Sequence, residues 1–258
     1  MGVVNVTPDS FSDGGRFLDS RAAIDRANAL IEEGAHILDI GAESSRPGAR
    51  EVPAEEELSR LMPVLEGLRG CPVPISVDTT KPEVMRAAID AGAAMVNDIR
   101  ALRAPGALET VAGSAAGVCL MHMQGEPRTM QHEPRYRDVV AEVAAFLAER
   151  VAAAESAGIA RERIAIDPGF GFGKSVAHNF ELLRNLDRFT ALGLPVVAGW
   201  SRKSTLGAVT GRAAEERLAA SLAAALLAVE RGARIVRVHD VAATRDALEV
   251  LAALDGTR

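Results

Sequence analysis

Apolar and polar residues follow two different periods along this chain. Short runs of apolar and β-branched residues alternate with longer segments in which apolar residues recur at helical spacing. The first pattern is typical of buried strands, and the second is typical of helices with one buried face. The strands are predicted at residues 2–6, 37–40, 75–77, 95–98, 118–121, 164–167, 196–198 and 235–238. The helices are predicted at residues 24–31, 58–68, 84–89, 139–151, 180–186, 218–229 and 247–254.

Three of the helical segments end in the dipeptide Gly-Ala, at Gly34, Gly92 and Gly232. A glycine just past a helix takes the left-handed conformation that turns the chain toward the next strand. The recurrence indicates a repeated βα unit, and eight such units in about 250 residues predict one (β/α)8 TIM-barrel domain over residues 1–258. The alternative is a doubly wound open sheet, whose first strand usually runs into a glycine-rich turn. Here Asn5-Val6-Thr7-Pro8 follows the first strand instead.

Composition narrows the class of protein. The 258 residues are 48% hydrophobic and 25% charged, with a net charge of −6. We find no basic stripe of the kind that nucleic-acid binders carry, no apolar run of membrane-spanning length and no basic start of a secretory signal. Cys71 and Cys119 are far apart and lack metal-site spacing, which favours reduced thiols in a cytoplasmic protein.

A long polar loop, residues 5–15, separates the first strand from a helical pattern that starts near Asp19. The loop carries an amide, carboxylates, hydroxyls and the ring of Phe11. Loops of this length are usually functional or disordered, and both interpretations are open for this loop taken alone.

Polar residues follow every predicted strand. In a barrel the working groups lie at the carboxyl ends of the strands, so a polar residue at all eight ends predicts a functional mouth. The strand ends and the loops after them carry Asn5, Asp39, Asp78, Asn97, Met121 with His122, Asp167, Ser201 with Arg202, Lys203 and Ser204, and Arg237 with His239.

Two kinds of chemistry separate among these residues. Asp78, Asn97 and Asp167 offer acceptors for a planar donor edge such as that of a heterocycle. Each of them alone is also compatible with a helix cap or a satisfied core carboxylate.

Cationic groups form the second set. Arg46, Lys203, Arg237 and His239 suit an anion such as phosphate. The spacing of two between Arg237 and His239 places both side chains on one face of the last strand. Acids and the amide of Asn5 near such an anion site would suit a weakly held Mg²⁺ that also uses substrate oxygens.

A helix is predicted to begin at Ser201-Arg202-Lys203-Ser204. The free amides and hydroxyls there could bind a carboxylate or phosphate, or they could simply cap the helix. Other motifs fail: Pro168 stands where a P-loop needs glycine, the histidines lack the spacing of a zinc site, and no G-x-S-x-G elbow occurs.

Eight blocks of sequence together resemble the dihydropteroate synthase family, the bacterial folate-pathway enzymes with a (β/α)8 barrel. They run in the family's order from residue 2 to residue 241, so the resemblance covers nearly the whole chain. The blocks are NVTPDSFSDGG, ESSRPGA, SVDTTKPEV, VNDIRAL, CLMHMQGEPRTMQ, DPGFGFGK, GWSRKS and RVHDV.

The resemblance implies the condensation of a dihydropterin bearing a CH₂–diphosphate with 4-aminobenzoate, with release of diphosphate. It implies that Asp78, Asn97, Asp167 and Lys203 hold the pterin, with Met121 and Phe172 packing on it. It implies that Arg237, His239 and Arg46 grip the diphosphate and that Asn5 binds Mg²⁺. It implies that Phe11, Ser45 and Pro47 close over 4-aminobenzoate, whose carboxylate meets Ser201 and Ser204. The chemistry is then expected to fall to Lys203, Arg237, His239, Asp167 and Asp78.

The sequence departs from the family pattern in places. Ser45 stands where the family often has threonine, and we expect altered contact with analogues of 4-aminobenzoate there. Trp200 is bulkier than the residue expected at its position. The family has residues before the first strand that help to close the barrel, and without them we expect a loss of stability more than of catalysis.

Two rival functions remain from the sequence. A pterin-dependent methyl-transfer enzyme on the same barrel would share the pterin carboxylates but has no use for the Phe11 and Pro47 loops. A barrel that binds pterin without catalysis would have lost loop residues that are intact here. The family resemblance favours a homodimer, and residues 218–229, rich in Ala and Leu, are either core or a dimer face.

Overall fold

The structure is a computed structural model that describes residues 1–6, 15–44, 51–254 and 256, with side chains in the first helix described from residue 20 onward. Eight parallel strands form one sheet in sequence order. The strands are β1 (Gly2–Asn5), β2 (Leu38–Gly41), β3 (Ile75–Asp78), β4 (Met95–Asp98), β5 (Gly117–Met121), β6 (Ile164–Asp167), β7 (Val196–Ala198) and β8 (Ala233–Val236).

Helices follow the strands and cover the outside of the sheet. They are α1 (Gly15–Glu32), α2 (Ala54–Gly67), α3 (Pro82–Asp90), α4 (Ala107–Ala112), α5 (Val139–Ser156), α6 (Val176–Arg184), α7 (Asp187–Thr190), α8 (Ser204–Thr210), α9 (Leu218–Glu230) and α10 (Val241–Leu254). Local signals set several of their starts. Pro82 opens α3, and the carboxylate of Asp138 accepts the amides of Val140 and Ala141 at the start of α5.

The sheet closes on itself. Val238, just past β8, forms a parallel bridge with Gly2 of β1, and the amide of Val3 donates to the carbonyl of Val238 at 3.0 Å. Together with the unbroken order from β1 to β8, this contact makes the sheet a (β/α)8 barrel.

The two faces of the strands differ in chemistry. One set of alternating residues, such as Ile40, Val77 and Leu120, is fully buried among apolar residues beneath the helices. The other set points into the barrel, where the lower part is a small apolar cluster that includes Cys119 and Ala165. Above that cluster the inward positions are polar, and these polar residues form the candidate site.

The predicted elements match the structure closely. Each of the eight predicted strands is present, with β8 beginning two residues before the predicted start. Helix α1 begins at Gly15, earlier than the predicted start near Asp19. The predictions omitted α4 and α7, which are short connecting helices with too few turns to show a period.

The glycines of the Gly-Ala pairs take the expected conformation. Gly34, Gly92 and Gly232 have φ values of 90°, 101° and 97°. Across the described ranges, no helix combines the length and the apolar character that crossing a membrane requires.

Candidate active site

An arginine and two carboxylates form the floor of the site. Arg237 extends into the barrel, where its Nε donates to Asp39 Oδ2 at 2.6 Å and its Nη2 donates to Asp78 Oδ2 at 2.9 Å. Asn97 adds a third contact, because its Nδ2 donates to Asp39 Oδ2 at 3.2 Å. Four neighbouring inward positions on β2, β3, β4 and the end of β8 are therefore joined in one network.

The charges of this floor do not cancel, since two carboxylates share one guanidinium. Burial, together with the nearby charge of Asp39, raises the pKa of Asp78 to about 7, although Arg237 opposes the shift. Burial lowers the pKa of Arg237, but the two carboxylates more than offset this effect, so the guanidinium stays charged. The floor thus has carboxylate oxygens to spare for a further donor.

Asp167 and Lys203 lie on the opposite side of the site. Asp167 is 6% exposed, and its Oδ1 accepts the amide of Gly169 at 2.7 Å. Burial raises the pKa of Asp167, while the Gly169 amide and then Lys203 oppose the rise. Lys203 places Nζ 4.2 Å from the centroid of the Phe172 ring, a cation–π contact. Burial and then Arg237 lower the pKa of Lys203 to about 8.

The loop after β6 approaches its neighbours so closely at Gly169 that a Cβ atom does not fit there. Gly169 has φ 73°, and a Cβ atom there would lie 1.9 Å from the carbonyl oxygen of His122. Gly171 has φ 80° and faces the side chain of Lys203. The loop therefore sits against the end of β5 on one side and against Lys203 on the other.

His239 is held by Ser201. The hydroxyl of Ser201 lies 2.9 Å from His239 Nδ1 and also accepts the amide of His239 at 3.2 Å. Burial, then Arg202 and then Arg237, lower the pKa of His239 to about 4, so its imidazole is neutral near pH 7. Arg202 is itself paired with Asp240 through two hydrogen bonds, at 2.6 and 3.2 Å.

The remaining predicted residues take three kinds of position. Met121 is buried at the end of β5, in a cluster against which Phe172 packs. Asn5 is half-buried at the end of β1, and Ser204 is exposed at the first position of α8. The predictions for Phe11, Ser45, Arg46 and Pro47 lie outside the described residues.

The sequence places Asp39 among the polar strand ends but assigns it no role in the site. It lies within an apolar run, Ile37-Leu38-Asp39-Ile40, and is fully buried, with Oδ1 lacking a partner among the described residues. A carboxylate inside a buried strand is the signal that would have found it, since such a group needs a buried partner.

The residues of the site are compatible with a magnesium ion that takes few of its ligands from the protein. Within the described ranges, no three histidine, cysteine, aspartate or glutamate side chains come together as a metal-binding group. Mg²⁺ is commonly held by one or two protein oxygens together with substrate phosphates and water. The amide oxygen of Asn5 fits that role as a single hard ligand at the mouth of the barrel.

The fold is that of a pterin-binding enzyme, and the family model described as pterin binding enzyme matches residues 1–239. A dihydropteroate synthase from Haemophilus influenzae is 53% identical over 251 residues, which cover 97% of this chain and 91% of that protein.

Two solved structures of dihydropteroate synthase from Xanthomonas albilineans are similar in fold. One, with 4-aminobenzoic acid, has a TM-score of 0.94 and 56% identity and covers 100% of this chain and 93% of that one. The other, in complex with 7,8-dihydropteroate, has a TM-score of 0.90 and 54% identity and covers 100% of this chain and 94% of that one. The chain belongs to the dihydropteroate synthase family, transferases of folate synthesis.

Proposed function

We propose that this chain joins (7,8-dihydropterin-6-yl)methyl diphosphate to the amine of 4-aminobenzoate, releasing diphosphate and forming 7,8-dihydropteroate. The observation that carries the proposal is the carboxylate floor, where Asp39 and Asp78 accept from the planar guanidinium of Arg237. The 2-amino edge of a pterin presents adjacent N–H donors in a similar planar arrangement. Acceptors that suit one of these groups suit the other.

In this proposal the pterin lies between the floor and the opposite wall. Asp78, Asn97 and Asp167 supply acceptors for its ring N–H groups, and Lys203 supplies a donor for its oxygen and ring nitrogen. Phe172 and Met121 give the ring an apolar surface. Burial of the carboxylates makes each hydrogen bond stronger than it would be in water, which suits a deep and selective pterin site.

The diphosphate is assigned to the cationic side of the mouth. Nε and Nη2 of Arg237 are engaged with the carboxylates, so its Nη1 has no partner among the described residues. His239 follows two residues later, past the end of β8, and lies close enough for the charge of Arg237 to lower its pKa. Arg46 is assigned to the same anion by family resemblance. Mg²⁺, when bound with Asn5 as one ligand, would add positive charge against the diphosphate oxygens.

The chemistry needs orientation more than a strong base. As the C–O bond to diphosphate breaks, positive charge on the methylene is shared with the pterin, and cationic side chains stabilise the charge of the leaving group. The aniline nitrogen of 4-aminobenzoate is a weak base, so it attacks without prior deprotonation. The protein's contribution is to align the two substrates and to keep water away from the methylene.

The second substrate is assigned to the mouth beside α8. The carboxylate of 4-aminobenzoate is assigned to two hydroxyls. That of Ser204 is exposed, and that of Ser201 also contacts His239. Phe11, Ser45 and Pro47 complete this side by family resemblance.

We infer a cytoplasmic homodimer, and the two free cysteines agree with a reducing compartment.

A diphosphate-release assay tests the function directly. The chain is supplied with the dihydropterin diphosphate, 4-aminobenzoate and Mg²⁺, and each component is omitted in turn. Release that requires both organic substrates, with a coupled pteroate product, is the expected result. Pterin binding without release would favour a non-catalytic relative, and methyl transfer from a methylated pterin would favour the methyltransferase alternative.

A further inference from the structure

A buried lysine with no assigned role lies directly behind the site. Lys174 is 2% exposed and follows the glycine loop after β6. Placing an ammonium group in a protein interior is costly unless its protons are all satisfied. A lysine buried in this way is therefore expected to have a structural or functional role.

The ammonium group of Lys174 is fully satisfied by acceptors from two loops. Its Nζ lies 2.9 Å from the carbonyl oxygen of Gly169, 3.0 Å from that of Phe172 and 2.9 Å from Nδ1 of His122. The carbonyl oxygen of His122 is a further contact at 3.4 Å. An ammonium has three protons, so these short contacts account for all of them. Burial lowers the pKa of Lys174 to about 7 although Asp167 opposes the shift, so the charged form is fully populated only below neutral pH.

The imidazole of His122 is suited to accept. Burial and then Lys174 lower its pKa to about 3, so the ring is neutral near pH 7. With Nδ1 accepting from Lys174, the proton of the neutral ring is assigned to Nε2. The ring is fixed by edge contact with Phe146 at 4.9 Å between centroids.

The two carbonyls that Lys174 holds belong to one turn, and that turn carries the pterin wall. The amide of Phe172 donates to the carbonyl of Gly169 at 3.1 Å, which closes the turn. At one end the amide of Gly169 orients Asp167, and at the other the ring of Phe172 lies against Lys203. A shift of this turn would move three groups of the site at once.

We propose that Lys174 is a positioning residue whose ammonium group fixes the Gly169–Phe172 turn, and through it the pterin-facing geometry of Asp167, Phe172 and Lys203. The proposal rests on the pterin site of the proposed function. It differs from a purely structural role because it predicts a loss confined to one of the two substrates.

The test compares Lys174→Met with Tyr136→Phe as a matched control. Tyr136 also holds this loop, with its hydroxyl donating to the carbonyl of Gly173 at 2.8 Å, but it touches neither carbonyl that Lys174 holds. For Lys174→Met we expect the Kd for 7,8-dihydropteroate and the KM for the pterin substrate to rise about tenfold or more, with the KM for 4-aminobenzoate nearly unchanged. The control should leave all three constants close to those of the wild-type chain.

Chemical rescue separates charge from packing. Lys174→Ala lacks the atoms that propylammonium supplies, and propan-1-ol fills the same space without a charge. Restoration of pterin affinity by propylammonium but not by propan-1-ol supports the proposal. Equal rescue by both, or an unchanged pterin Kd in Lys174→Met, overturns it.

Folding and function are read separately. Circular dichroism and a thermal melt precede the kinetics. If Lys174→Met does not fold, Lys174→Ala is refolded with propylammonium, and failure of the amine to improve pterin binding counts against the proposal. Pterin binding by a wild-type chain that shows no turnover would contradict the proposed reaction while leaving the role of Lys174 intact.

Discussion

At the scale of single residues, the site is built around an excess of buried negative charge. Asp39 and Asp78 share the guanidinium of Arg237. Such a floor is unfavourable for the protein alone and favourable once a donor edge binds. Under the proposed function, the donor edge of the pterin would offset this unfavourable electrostatic energy.

Neutralising Asp78 is expected to stabilise the chain. Its pKa is higher in the folded chain, at about 7, than its ordinary value of 3.8, so ionisation costs stability as pH rises through that interval. Asp78→Asn keeps an acceptor for Arg237 and should raise stability at pH 8 by about 1–3 kcal/mol, or several degrees in Tm. The gain should shrink toward pH 4, where the wild-type carboxyl is protonated in the folded chain and partly protonated in the unfolded chain. Thermal melts at the two pH values check this, and a less stable variant at pH 8 would contradict it.

Removing Lys203 or Asp167 is expected to abolish pterin binding while the fold stays intact. Both groups face the pocket rather than the core beneath the helices, so Lys203→Ala and Asp167→Ala delete ligand contacts without opening a large apolar cavity. Isothermal titration with 7,8-dihydropteroate measures the loss. Arg135→Ala, which breaks a surface pair with Glu133, is the control that should bind normally. Unchanged affinity in either pocket variant would refute the assignment.

At the scale of elements, the glycine loop after β6 leaves little room for a side chain at Gly169. Gly169→Ala forces a left-handed alanine and drives its Cβ into the carbonyl of His122. Gly158, at the end of α5, has φ 97° and open space around the missing Cβ, so Gly158→Ala meets the backbone strain without the clash.

The two alanine variants should therefore differ in both stability and binding. We expect Gly158→Ala to cost about 1 kcal/mol and Gly169→Ala to cost several times more, with pterin binding lost only in the latter. Urea unfolding and ligand titration measure the difference. Equal costs for the two variants would show that the loop relaxes freely.

The elements were predictable because their signals are local. Apolar runs such as Ile164–Asp167 reveal strands, and Gly34 marks the end of a helix, whichever fold contains them. The polar strand ends likewise identified Asp78, Asn97 and Lys203 as candidates. What the sequence left undetermined was which of these groups meet, since Arg237 contacts Asp39 only because the barrel closes.

The role of Ser201 shows the same limit. Its hydroxyl suits a ligand carboxylate or a helix cap when only the sequence is considered, yet in the folded chain it lies against His239. That contact depends on two loops after different strands, and no local pattern encodes it.

At the scale of the whole molecule, the expected dimer remains a prediction that a substitution on α9 can test. Helix α9 buries Ala224 and Ala228, while Leu218 and Leu227, which lie about two and a half turns apart and therefore on different flanks of the helix, are 41% and 40% exposed. We expect light scattering to give twice the mass of one chain and Leu227→Arg to shift it toward one chain. Val176→Arg, at a position that is also 40% exposed but lies on α6, is the control. A single-chain mass for the unmodified protein would refute the prediction.

Closure of the barrel also has a consequence for how the chain is made. The bridge between Gly2 and Val238 joins two points with almost the entire sequence between them. During translation, one edge of β1 therefore stays unpaired until β8 has been made. Arg237, which follows β8, contacts the carboxylates only after that point. The carboxylate floor is therefore assembled only once β8 and Arg237 have been made, however early the other seven strands fold.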